Sequence, residues 1–138
     1  MITEDYLSFE VAKLLKEKGF DVPVNYEYHY KITIPQFHRK KHNFNGIEYS
    51  NCSSEWYSAP TLQMAMKWLR EVHNIHIELN WDKGNQLYSF QIWKPGKFRP
   101  EISSLDLWKI YKDDNYLGEW IYEEATEAAL KYSLENLI

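Results

Sequence analysis

His38 and His42 lie four residues apart, a spacing that puts two imidazoles on one face of a helix, where a metal ion can sit between them. Arg39, Lys40 and Lys41 fill the interval, and three cations oppose a divalent ion. The stretch therefore reads as an exposed basic connection. His73 and His76 straddle an expected helix end, where His73 suits the C-terminal turn and His76 a solvent-facing strand position. Cys52 is the only cysteine, so no disulfide can close within the chain and no cysteine pair is present to build a structural zinc site. Neither a metal nor a cofactor is expected.

Covalent catalysis needs a nucleophile, a base and a group that orients the base. Cys52 lies in NCSSE, which matches no nucleophile signature, and Ser53, Ser54 and Ser58 suit loop and cap positions. An unrecognised site would need His76, Glu78 and Cys52 to line one deep pocket. The adjacent carboxylates Asp113-Asp114 and Glu123-Glu124 suit a turn and a helix start before acid–base work. The five glycines (Gly19, Gly46, Gly84, Gly96 and Gly118) stand apart, so neither a P-loop nor a dinucleotide fingerprint can be assembled. The expectation is a protein without catalysis.

One stretch carries a binding signature. In FHRKKHNF, Phe37 and Phe44 bracket Arg39, Lys40 and Lys41, with Lys31 just upstream. Cations beside aromatic rings are the pattern of a groove for single-stranded nucleic acid, and these six residues would form it. The total charge of −4 gives no general affinity for phosphates, however. Charge is also uneven. Residues 28–47 hold four cations and no acid, whereas residues 101–138 carry −6.

These residues must be positioned by regular elements. VNYEYHYKITI, residues 24–34, alternates throughout, with Val24, Tyr26, Tyr28, Tyr30, Ile32 and Ile34 on one face. The aliphatic companions place the tyrosines in a core, beneath helices. The other face, with Asn25, Glu27, His29, Lys31 and Thr33, is left to solvent. Residues 3–18 read as a helix with Thr3 at its N-cap, stopped by Gly19 and Phe20. A short second strand is expected over Ile47–Asn51. Residues 58–74 form a second helix, capped by Ser58 or Thr61 and ended by Asn74. IHIELNW and QLYSFQIWK pair as a hairpin, with Ile75, Ile77, Leu79 and Trp81 inward. Residues 105–112 are read as the third strand of a meander, and residues 122–136 as the last helix, with Ala125, Ala128, Ala129, Tyr132 and Leu137 or Leu134 inward. The resulting order α-β-β-α-β-β-β-α predicts an α+β fold, an antiparallel sheet of about five strands covered on one face by three helices.

A chain of 138 residues with no internal linker reads as one domain, 1–138. Aromatic residues make up 17% of it, which excludes disorder. The start, MITEDYLSFE, has acids where a signal peptide has Lys or Arg, and no apolar run reaches the roughly 20 residues of a membrane span. A cytoplasmic protein is expected, with no membrane partner.

TEDYLSFEVAKLLKEKGFD, SAPTLQMAMKWLREVHNIHI and YEEATEAALKYSLENLI resemble a family of short uncharacterised proteins of gut anaerobes, often found near phage-like or other mobile elements. Ser133 stands where that family often has cysteine. The resemblance implies a constant helical frame that presents variable strands and loops, an arrangement suited to recognition. Together these readings point to a small accessory protein that works by protein–protein contact, with another protein or as a homodimer. Nucleic-acid binding through residues 37–44 is the alternative.

Overall fold

The structure is a computed structural model that describes residues 4–29, 32–50, 55–111 and 120–138. The fold is α+β; among the described residues there are two three-stranded antiparallel sheets in place of the single five-stranded sheet expected, and helices in addition to the three expected. The chain divides into two compact units, residues 1–65 and 66–138.

The first unit opens with α1, Phe9–Glu17. Ser8 caps it, its Oγ accepting from the Val11 amide at 3.3 Å, so the helix starts later than the expected Thr3 cap, which lies outside the described residues. Val11, Ala12 and Leu15 form its buried stripe. Its end follows the expectation. Gly19 adopts φ +90°, its amide donates to Lys16 O and the Phe20 amide donates to Leu15 O, the paired bonds of a Schellman stop.

Strand β1, Val24–His29, is central between β2, Gln36–His42, and β3, Trp56–Ser58. β1 ends well short of the expected Ile34, because Glu27 already pairs with Gln36 and the chain must reverse between them. Ile32 and Ile34 are consequently exposed. The basic run read as a loop is β2, and the stretch from Ile47 is a single helical turn, α2, Ile47–Ser50, rather than a strand. Beneath α1, Tyr28 and Tyr57 pair across the sheet and pack with Ala12 and Ala59. The Tyr28 hydroxyl donates to Leu7 O at 2.6 Å. Tyr28 is thus core, as its strand pattern requires. Tyr26 is half-buried, and Tyr30 lies outside the described residues.

The division between the units falls inside α3, Leu62–His73. Thr61 Oγ1 accepts from the Met64 amide at 3.1 Å, and Asn74 at φ 55° ends the helix, both as the sequence indicates; Ser58 belongs to β3 instead.

In the second unit, β4, His76–Asp82, and β5, Leu87–Trp93, form the expected hairpin in continuous register. Phe90 and Ile92 are fully buried, whereas Trp81, near the turn, is largely exposed rather than inward. The third strand is the two-residue β6, Ile102–Ser103, and residues 105–111 belong to helix α4, Ser104–Tyr111. A reciprocal cap explains the switch from the expected strand. Ser103 Oγ accepts from the Asp106 amide at 3.2 Å, and an Asp106 carboxylate oxygen accepts from the Ser103 amide at 3.1 Å. Helix α5, Tyr122–Asn136, spans the predicted residues, and packs on β5 and β4. Its buried side is Ala125, Thr126, Ala129, Leu130, Ser133 and Leu134; Ala128 and Tyr132 lie at its margin. No helix among the described residues is long and apolar enough to cross a membrane.

Candidate functional site

Two arrangements in the first unit carry side chains beyond what the core needs. The first is on the sheet face opposite α1. Glu27 has none of its surface exposed. His29, two residues along the same strand, brings Nδ1 within 2.8 and 2.9 Å of its two carboxylate oxygens. His38 of β2 brings Nε2 within 3.2 Å. A buried carboxylate requires such partners, since removal from water costs several kcal/mol per ion. The His29 ring stacks on Trp56 at 4.5 Å, and His38 lies 4.8 Å from the Phe44 ring. Residues 44–45 are tied over this face: the Phe44 amide donates to Ser58 Oγ, and Asn45 Oδ1 accepts from the Ser58 amide. These contacts make the cluster a hydrogen-bonded knot around one buried carboxylate.

The second arrangement is an open hollow of about 210 Å³. Its walls include Tyr6, Pro23, Val24, Tyr26, Pro60 and Met64, and Glu4 and Lys41 bring one charge of each sign. The segment leading into α1 forms one wall because Leu7 N donates to Pro60 O and Leu62 N to Asp5 O, which pins residues 5–7 against 60–62. The Tyr6 and Tyr26 rings are 4.2 Å apart, and the Phe37 ring lies 5.3 Å beyond Tyr26. Three rings therefore run in a row from the hollow onto β2. Phe37, at the outer end, is 63% exposed. Burial first, and then the Tyr26 hydroxyl, push the Tyr6 phenol up to about 12, so it is a neutral donor and acceptor across the physiological range.

The pairing of β1 with β2 shapes the rim. Val24 pairs with His42 and Tyr26 with Phe37, so His38, Arg39, Lys40 and Lys41 stand opposite Asn25 alone. The extra residues form a large irregular bulge. Asn25 Nδ2 fills the gap and donates to His38 O at 3.1 Å. Arg39, Lys40 and Lys41 are all exposed on this bulge.

Of the six residues singled out for nucleic acid, the structure gathers four: Phe37, Arg39, Lys40 and Lys41, all on β2. Lys31 lies outside the described residues. Phe44 corrects the expectation, since it is fully buried against Trp56 and His38 and presents no face to a base. His42, paired with His38 by spacing, meets it edge to face at 6.4 Å. His76 and Glu78 lie on the exposed side of the hairpin, where Glu78 accepts from Trp93 Nε1 at 3.2 Å, and Cys52 is outside the described residues. Sequence reasoning missed Tyr6 as a partner of Tyr26, a contact across twenty residues that no local pattern carries. It also left Glu27 and His29 to solvent, although their two-residue spacing already placed them together on one face.

Comparison of the chain with protein-family models, with curated proteins and with solved structures found no match.

Proposed function

We propose that this chain is a cytoplasmic, non-catalytic accessory protein that acts by contact with another protein, received at the hollow of the first unit. The observation that carries the reading is the row Tyr6–Tyr26–Phe37, which leads from a half-open cavity to an exposed ring. Aromatic residues with one polar end supply large contact area at low entropic cost and are enriched where proteins meet. Size supports the same choice. A cavity of about 210 Å³ falls below the roughly 300–1,000 Å³ of small-molecule and cofactor sites. It accommodates one side chain of a partner. The resemblance of the helices to short proteins near mobile elements fits an accessory role of this kind.

Panning a random-peptide display library against the chain and against a Phe37→Ala/Lys41→Glu variant tests the proposal. Sequences enriched on the parent and lost on the variant are the expected result. Enrichment that is equal on both proteins would contradict it.

Single-stranded nucleic acid is the second reading, favoured by the exposed Phe37 ring beside three exposed cations. It predicts salt-sensitive binding of an oligothymidylate that replacement of Arg39, Lys40 and Lys41 abolishes.

A further inference from the structure

We propose that the occupant of the hollow is a linear acidic segment of a partner protein that seats one aromatic or large aliphatic side chain in the hollow, against Tyr6, Tyr26 and Met64, and lays its carboxylates on Arg39, Lys40 and Lys41. This rests on the protein-contact reading above and names the chemistry of the partner.

Three features of the site lead to it. β2 is an outer strand of its sheet, so addition of a partner strand is the first mode to consider. The bulge between Phe37 and His42 breaks the regular ladder such a strand needs, and exposed lysines are a usual device against strand addition. Recognition here therefore works through side chains. The bulge throws three consecutive cations outward, within a stretch of residues 28–47 that contains no acid. Their complement is a run of carboxylates, which also speeds encounter by electrostatic steering. The third feature is the junction between charge and cavity. Lys41 belongs both to the cationic run and to the wall of the hollow, so an anchor and its acidic neighbours can be engaged at once.

Nucleic acid fits the same features less well. The Tyr6 and Tyr26 rings are in contact at 4.2 Å, tilted by 43°, and Phe37 is the ring of the row that is mostly exposed. One stacked base is a poor substitute for the successive stacking of single-strand grooves.

The test is fluorescence anisotropy with fluorescein-labelled Glu-Asp-Glu-Trp-Glu-Asp-Glu. Controls are the same peptide with Gly for Trp, the same with Lys for every acid, and a labelled oligothymidylate. The protein is the full chain and its Lys40→Glu/Lys41→Glu variant, with both positions exposed and the fold of the variant checked by circular dichroism. The expected result is binding of the first peptide only, weakened about tenfold or more by the variant, a change of roughly 1.4 kcal/mol or above, and weakened by added salt. Equal binding of the lysine peptide, or tighter binding of the oligothymidylate, would overturn the proposal. So would a change in molecular mass of the variant by light scattering, which would identify a second copy as the occupant. Should the acidic peptide fail to bind while library panning selects apolar sequences dependent on Phe37, this inference falls and the protein-contact reading stands. Failure of both experiments removes both.

Discussion

His29 Nδ1 faces both carboxylate oxygens of Glu27, at 2.8 and 2.9 Å, and that carboxylate has no exposed surface. With His38 Nε2 at 3.2 Å from one of those oxygens, Glu27 is held by two imidazoles, one from its own strand and one from β2. The knot ties β1 to β2 next to the bulge that displays Arg39–Lys41. The three residues should behave as one unit. Removing both histidines (His29→Ala with His38→Ala) strands a buried charge and is expected to cost about 3–5 kcal/mol. Adding Glu27→Met should return most of it. Urea denaturation of the single, double and triple variants checks this; simply additive losses would contradict it.

Tyr28 supplies the helix side of the same sheet. Its hydroxyl donates to Leu7 O at 2.6 Å, in a buried setting. Tyr28→Phe keeps the ring but leaves that carbonyl without this donor, and is expected to destabilise by about 1–3 kcal/mol. The denaturation midpoint reports it.

Gly19 separates backbone strain from packing. Its φ is +90°, yet a Cβ built there meets no atom within 4 Å. Gly19→Ala is therefore expected to cost about 1–2 kcal/mol from backbone conformation alone. An unchanged midpoint would show that the Schellman stop relaxes without loss.

Two phenols give a pH signature. Burial, followed by Tyr26, raises Tyr6 to about 12, and burial, followed by Glu55, raises Tyr57 to about 12. The fold favours their neutral forms. Their contribution to stability is thus complete below the ordinary tyrosine value near 10 and is lost as pH rises through about 10 to 12. Ultraviolet difference titration should show late-ionising phenols, and Tyr6→Phe with Tyr57→Phe should remove that step.

Elements with a local signal were legible in the sequence. α5 and the β4–β5 hairpin carry long, clean periodicities, and Thr61, Asn74 and Gly19 punctuate the chain through chemistry visible at single residues. What failed was non-local. No local pattern distinguishes one five-stranded sheet from two three-stranded sheets, because strand order is decided by which edges meet. β2 escaped notice because its bulge removes the alternation that would mark Arg39, Lys40 and Lys41 as strand. α4 was misread although Ser103 and Asp106 hold the spacing of a reciprocal cap; apolar residues in LDLWKIYK suit either period over so short a run. Of the site, the cations and Phe37 were legible from type and spacing. Burial of Phe44 and Glu27 depends on residues 44–45 folding back over the sheet through Ser58, fourteen residues away from Phe44.

The most direct measurement is amide chemical-shift mapping of the labelled chain titrated with a library-selected peptide. Binding at the hollow predicts the largest shifts at Tyr6, Tyr26, Phe37 and Lys41, saturating together. Shifts concentrated in residues 66–138, or spread evenly over the chain, would contradict it.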